Sequence, residues 1–486
     1  MTISNESNYL PSEIVEDIIE WEIMHGVAFK QHDSTARHVP FSIAPMKMKR
    51  NHFEHLLKVT PLVSKLINNI SEDHAFLQSS LSKVAEAEPF FKILLSLHKE
   101  AHGEDGLSSF SARKPLLIMR TDFMDDREQG AKVIEFNGIA AGMAPFGSRG
   151  TQLHRYICEQ HNSAYQKWLE TDEATVAENE GLEQVAIGIA VSAIEIKKDF
   201  GESGSPTFLM VVQESEDNVY DQHLLELELQ KLGFRTVRRT FEQLSSQLST
   251  GQSKRLILEN VGPIDVVYLR TGYQCSDYYS PKLDKLVCCQ TLSRVRLFIE
   301  RHHVAMNATI SQQLATSKAM QMLVTNMSID EYMNWGLTYE EALLVKSVLA
   351  DMNPIRKEII KWFNSEANKE DWVLKNQGEG GGNCVFGADI SQKLELIKPQ
   401  EYDAWALMQR IYAIEREKPV LTIRDGKQAI VNHLISEIGL FTVYYNGEPV
   451  TEYGGYAGYL IRSKPANENE GGIHSGQGLL DSLMLI

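Results

Sequence analysis

Lys375 closes the short apolar run Val373-Leu374, and Asn376-Gln377-Gly378-Glu379-Gly380-Gly381-Gly382-Asn383 follows it. A cation, a carboxylate and a nearly bare backbone so close together suit a phosphate. Amide N–H groups and the ammonium can hold the anion while the carboxylate holds a metal ion. Glycines let the chain lie close over phosphates, because no Cβ keeps the backbone away. The segment is not a Walker A loop, since the lysine precedes the glycines and no Ser or Thr follows in the right place. A plain surface loop is the competing reading.

Other positions carry related chemistry. Glu135 and Asn137 lie two apart in VIEFNG, so on a strand both side chains share a face. Two hard oxygen donors on one rigid face suit Mg2+, and an ordinary polar sheet face is the alternative. Arg270, in LRTGY, ends a strand of parallel character, and ligands of open α/β sheets sit at that edge. Its guanidinium can take a carboxylate bidentately or make a solvent-exposed salt bridge. Arg120 ends PLLIMR in the same way. Arg462 and Lys464 alternate in YLIRSK, where an anion between them, or splaying into solvent, would relieve their repulsion. Together these groups fit ATP-dependent activation of a carboxylate, a reaction that needs mainly positioning and charge neutralisation.

The elements that must position these residues follow from periodicity. Residues 11–110 read as mainly helical, as in IVEDIIEWEIMHG and HFEHLLKVTPLVSKLINNI. PLLIMR and AKVIEFNG read as strands joined by the acidic loop TDFMDDREQG, with a turn at Gly130. Helix returns over 151–200, best in LEQVAIGIAVSAIEIKK. From about 204 to 305, short strands alternate with helices, which indicates a small α/β unit with a mostly parallel sheet. The final third is α+β with antiparallel strands, including a tight turn at Asn446-Gly447 and a glycine-rich tail. The expected parts are therefore 1–203, 204–305 and 306–486.

Composition sets the outer bounds. The 486 residues are 43% hydrophobic, ample for a multidomain fold of mixed α+β and α/β class. The net charge of −17 argues against a nucleic-acid or anionic-membrane binder. The polar, acidic N-terminus does not read as a signal peptide, and no apolar run reaches the length of a membrane span. Cys158, Cys275, Cys288, Cys289 and Cys384 match no disulfide framework or zinc pattern, which points to a reducing cytoplasm.

Several pieces resemble the eukaryotic-type glutathione synthetase family of ATP-grasp ligases, in family order and over nearly the whole chain. They are MRTD (119–122), VIEFNGIAAG (133–142), VQESEDNVYDQ (212–222), VVYLRTGY (266–273), QLATSK (313–318), VLKNQGEGGGN (373–383), ISEIGLF (435–441) and LIRSK (460–464). The resemblance implies an ATP-grasp fold with an inserted parallel α/β substrate domain. It implies ligation of gamma-glutamylcysteine and glycine with ATP and Mg2+, through an acyl phosphate, by a cytoplasmic homodimer. Carried over, Glu135, Asn137 and Glu379 hold the metal. Lys318, Lys375, Gly380, Gly381, Gly382, Met408, Ile411, Glu437 and Lys464 surround the nucleotide. Arg120, Asn218, Gln222, Arg270, Tyr273 and Arg462 hold the peptide, and Arg120, Arg462 and Lys375 serve the chemistry. On that reading Arg462 and Lys464 meet different anions, the peptide and the nucleotide, and Gly471–Gly478 belong to a mobile closing loop.

The sequence also departs from the family pattern. Gly138-Ile139-Ala140-Ala141-Gly142 stands where Thr-x-Ser-x-Ser is usual, removing two hydroxyls that face the peptide. Gly378 replaces an arginine, Cys384 and Phe386 replace an asparagine and a tyrosine, Glu470 replaces an aspartate, and His474 replaces an alanine. A related ligase acting on another gamma-glutamyl or thiol acid, or on another amine, is the alternative function. A non-catalytic binding homologue predicts lost nucleotide groups, whereas the lysines and metal ligands are present.

Overall fold

A computed structural model describes residues 9–486 except 171–174, 284–289, 366, 379–383, 470 and 475. The helical N-terminal region comprises α1 (Ser12–Met24), α2 (Arg50–Glu72), α3 (His74–Ala87) and α4 (Pro89–His102). In α2 the buried Phe53, Leu56, Val59, Val63, Leu66, Ile67 and Ile70 recur at three- and four-residue spacing, which makes one apolar stripe. Between α1 and α2, short strands tie this region to the far end of the chain. Phe41 pairs in parallel with Leu480, and Met46–Met48 with Leu483–Leu485.

A large mixed sheet organises the molecule. At its centre, strand Lys114–Asp126 runs antiparallel to Leu434–Tyr445, which runs antiparallel to Tyr456–Pro465. The segment TDFMDD, expected as a loop, continues this strand. It finds partners on both sides: Asp122 pairs with Glu135 and with Gly439, and Asp126 with Gly130. Available backbone partners thus outweigh the low strand preference of aspartate.

The parallel strands Arg235–Arg239, Thr207–Val211, Val266–Leu269 and Ala305–Asn307 join this same sheet where Ala305 and Met306 pair with Lys114 and Pro115. A separate four-stranded sheet orders Met352–Pro354, Trp405–Gln409, Trp372–Asn376 and Cys384–Phe386.

Strand alternation assigns the two faces. Leu117, Met119 and Phe123 point with Ile438, Leu440 and Ile461 into a core that includes residues of α2, α3 and α4. Leu116, Ile118, Phe441 and Val443 face the opposite core, formed with helices Ala144–Gln160 and Gly181–Asp199. Further along that second face the same parity reaches Arg120, Asp122, Glu437 and Gly439. The face therefore changes from apolar to charged within one pair of strands.

The helix packing leaves little room. A Cβ on Gly147 would overlap the carbonyl oxygen of Tyr459, on the neighbouring strand, and a backbone group cannot swing aside. Gly147→Ala should lower stability by about 1–3 kcal/mol or more through overpacking. Thermal unfolding of the folded variant checks this, and an unchanged Tm would contradict the packing described.

Candidate functional site

A cavity of about 310 Å³ lies between the large sheet and the four-stranded sheet. The large sheet contributes Arg120, Asp122, Glu135, Asn137, Glu437, Arg462 and Lys464, and the small sheet contributes Val373, Lys375, Cys384, Phe386 and Met408. Lys318 enters as the first residue of helix Lys318–Asn326, capped by Ser317, whose side chain accepts from Met320 N. Thr316 ends the helix Ile310–Ala315 and Ser317 caps the next, so the chain breaks just before Lys318.

Asp122 holds the charged face together. Its carboxylate accepts from Arg120 Nε at 2.6 Å and Nη2 at 2.8 Å, from Arg462 Nη2 at 2.9 Å and from Asn137 Nδ2 at 3.0 Å. Burial acts to raise the Asp122 carboxyl, but Arg120 and Arg462 outweigh it and hold the group below the ordinary carboxylate range. Because Asn137 donates through Nδ2, its amide oxygen is left for another partner.

Gly439 makes this geometry possible, since a Cβ there would lie 2.8 Å from both Arg120 Cδ and Asp122 Oδ1. Sequence reasoning recognised MRTD without giving Asp122 a role. The available signal was an acid two residues after an arginine, on one strand face.

Arg462 and Lys464 converge on a single anion. Glu437 pairs across the strands with Arg462 and lies 2.9 Å from its Nη2, while Lys464 Nζ lies 3.2 Å from the other Glu437 oxygen. The anion that their alternation calls for is thus supplied by the adjacent strand. Lys375 reaches from the small sheet to the Ile134 carbonyl, 2.9 Å away. Its burial pushes the ammonium pKa down. Lys318 donates to Gly378 O at 2.8 Å and lies 3.8 Å from Glu135. Met408 is buried and Ile411 half-buried, packed with Ala350, Met352 and Ala406 into an apolar wall suited to a flat ring. Glu379, Gly380, Gly381 and Gly382 lie outside the described residues.

The face is suited to a polyanion. Among the described residues lining the cavity, Arg120, Lys318, Lys375, Arg410, Arg462 and Lys464 outnumber Asp122, Glu135, Glu437 and Glu468, in a chain that is strongly acidic overall. Arg462 Nε is buried without a hydrogen-bond partner among the described residues. Burial and the neighbouring Glu437 and Asp122 act oppositely on Arg462, and the carboxylates prevail, so it stays charged. Glu135 and the Asn137 amide oxygen are hard donors beside these cations, so the residues present fit Mg2+ carried with a nucleotide.

Beside this cavity, Arg270 lies against Gly142. Arg120 Nη1 donates to the Gly142 carbonyl at 3.2 Å, so the segment 138–142 links the two arginines. A Cβ on Gly142 would lie 2.7 Å from Arg270 Cζ, so the guanidinium fills the space a side chain would take. Arg270 Nη1 donates to the fully buried Asp221 at 2.7 Å. Asn218 Oδ1, Gln222 Nε2, Glu216 Oε2 and Arg270 Nε are all buried without hydrogen-bond partners among the described residues. Tyr273 accepts from Gln213 Nε2 at 3.0 Å.

The tail lies down on the site. A Cβ on Gly471 would sit 2.8 Å from Glu437 Cδ, and Lys464 donates to Asn469 O at 3.0 Å. His474 pairs with Asp217 and sets its ring edge-on to Phe29, centroids 5.0 Å apart. This contact was not foreseen, and the unusual His474 was its only signal.

The family model described as eukaryotic glutathione synthase, ATP binding domain, matches residues 9–485. The chain belongs to this family. Glutathione synthetase of Dictyostelium discoideum is 27% identical, with 98% of this chain and 99% of that protein covered. The glutathione synthetase large chain of Schizosaccharomyces pombe is 29% identical, at 98% and 99% coverage. Human glutathione synthetase is 28% identical, at 97% and 96% coverage. The fold is shared with a glutathione synthetase-like effector of Globodera pallida in its apo form, with TM-score 0.73, 17% identity and 99% of each chain covered. Among the described residues no helix is long and apolar enough to cross a membrane.

Asp122→Asn should lower stability by about 3–5 kcal/mol, because Arg120 and Arg462 would remain buried against a neutral partner. The sign with pH is fixed by the depressed carboxyl. Its stabilisation is complete above about pH 4, the ordinary aspartate value, and is lost as pH falls through the lower folded-state value. Denaturant titrations should therefore show a shallower acid limb for the variant, whereas parallel curves would reject the assignment.

Proposed function

We infer that this chain is a glutathione synthetase of ATP-grasp type, joining gamma-glutamylcysteine to glycine with conversion of ATP to ADP and phosphate. The carrying observation is the two-sheet cavity, in which lysines from the small sheet and the capped helix face arginines and hard oxygen donors of the large sheet. Family membership supports the same reading.

The adenine would lie against Met408 and Ile411, with Lys318, Lys375 and Lys464 along the phosphates. Glu135 and Asn137, with Glu379, would hold Mg2+, which supplies neutralisation of phosphate charge. An oxygen of the cysteinyl carboxylate attacks the γ-phosphorus, the bond to the β,γ-bridging oxygen breaks, and ADP leaves. The glycine nitrogen then attacks the acyl carbon, phosphate departs, and the nitrogen gives up a proton to the leaving phosphate or to solvent, leaving the amide. Arg120 and Arg462, held in plane by Asp122, would face the transferring group and neutralise its charge. Arg270, Asn218, Gln222 and Tyr273 would position the peptide. In this reading residues 204–305 carry the peptide side, 306–486 most of the nucleotide side with the metal ligand Glu379, and 1–203 the metal ligands Glu135 and Asn137, and the working form is a cytoplasmic homodimer.

A second reading has its own support. Arg270 is neutralised by Asp221 and occupies the space over Gly142, so the peptide pocket offers neither side-chain hydroxyl there nor an uncommitted guanidinium. A ligase for a different gamma-glutamyl or thiol acid, or a different amine, fits that feature.

ADP release should require Mg-ATP, gamma-glutamylcysteine and glycine together, with glutathione identified by mass. Competing acids and amines in the same assay separate the two readings, because a strong preference for another pair favours the second. Glu135→Gln should lower kcat by roughly 100-fold or more. Unchanged turnover at saturating Mg2+ would remove Glu135 from the metal site.

A further inference from the structure

Away from the cavity, three histidines converge between the first helices. His74 is the first residue of α3, and His98 and His102 lie four apart on α4, hence on one helix face. One ring nitrogen from each lies within 4.8 Å of the others. His74 and His102 stack with centroids 3.6 Å apart, and His98 lies 4.8 Å from His102 and 5.2 Å from His74. His98 and His102 are almost wholly buried.

Their hydrogen bonding is incomplete. His98 Nε2 and both ring nitrogens of His102 are buried without a partner among the described residues. His98 Nδ1 meets Gln78 Nε2 at 3.3 Å, and His74 Nδ1 meets Ser311 Oγ at 3.4 Å. Buried polar atoms are ordinarily satisfied, so a cluster of orphaned imidazole nitrogens calls for a partner that binds several at once.

The surroundings suit a cation. Arg113 lies nearby, but Glu72 takes it bidentately at 3.0 and 3.1 Å and Glu300 approaches its Nε at 3.3 Å. Asp73 caps α3 immediately before His74. Carboxylates therefore exceed the one guanidinium. Burial pushes the imidazoles down, His74 to about 4, His98 to about 3 and His102 to about 2, so all three are neutral at physiological pH, the form that binds a metal. A surface groove of about 580 Å³, lined by Glu72, Asp73, His74, Gly106 and Trp335, provides an approach from solvent.

We propose that His74, His98 and His102 form a transition-metal site, with Zn2+ the best-suited ion, that staples the start of α3 to the end of α4. Imidazole selects zinc and its neighbours over Mg2+, so this site is chemically distinct from the oxygen donors of the cavity. Zn–N bonds of about 2.0–2.1 Å require the nitrogens to draw together from their present spacing of up to 4.8 Å. The role is structural: His74 also reaches Ser311 on helix Ile310–Ala315, which leads directly to Lys318.

The test uses the full chain, stripped with chelator and carrying Glu135→Gln to weaken cation binding in the cavity. Titration with Co2+ should give visible d–d absorption saturating at one equivalent, and Zn2+ should displace it and raise Tm. His98→Gln and His102→Gln should each lose that equivalent while keeping the wild-type circular dichroism spectrum. Should those variants fail to fold, zinc-edge X-ray absorption on the wild-type chain decides, because imidazole scattering supports the site and an oxygen- or sulfur-only shell rejects it. Absence of a stoichiometric ion in the wild type, or binding unaltered in both folded variants, overturns the proposal.

Discussion

A single buried carboxylate sets the charge geometry of the cavity. Asp122 is fully buried and receives two arginines and an asparagine that come from three different strands. Each partner also faces the pocket. Without this anion, Arg120 and Arg462 would be like charges in a poorly solvated place, and the Asn137 amide would lose the bond that orients its oxygen. The carboxylate thus converts a repulsive set into a rigid, cation-rich surface. Glu437 repeats the device one strand away, between Arg462 and Lys464.

Such close charge packing demands missing side chains. Gly439 clears room for Arg120 and Asp122, and Gly471 lets the tail approach Glu437. Gly142 has a different consequence, because the space it leaves is taken by Arg270, turned towards Asp221. The faces proposed for the nucleotide and for the peptide therefore differ in kind. Among the described residues the first carries more cations than carboxylates, while on the second the principal cation already has a buried partner. Specificity for the acid and the amine would accordingly be decided around residues 138–142 and 214–222, with phosphoryl chemistry left to the other face.

Much of this was legible in the chain. Alternation in VIEFNG and YLIRSK placed Glu135 with Asn137 and Arg462 with Lys464 on common faces, because strand geometry enforces a two-residue period. The Asn446-Gly447 turn also followed from local rules, since both residues have positive φ. What local rules could not supply was pairing between distant segments. TDFMDD has loop-like composition, yet strands on both sides hold it extended. Glu437 as the shared anion depends on the register between two strands, and the His474–Asp217 contact spans 257 positions. The histidine cluster was invisible for the same reason, because His74 reaches the i,i+4 pair only through the packing of α3 on α4.

Following one oxygen gives the most direct test of carboxylate activation at this cavity. Gamma-glutamylcysteine carrying 18O in its cysteinyl carboxylate would be turned over with Mg-ATP and glycine, and the released phosphate analysed by mass. Attack of the carboxylate on the γ-phosphorus, with the arginine pair fixed by Asp122 facing the transfer, predicts one labelled oxygen in the phosphate for each peptide bond formed. Unlabelled phosphate accompanying product would mean that the carboxylate is not phosphorylated, and the chemistry assigned to this face would be wrong.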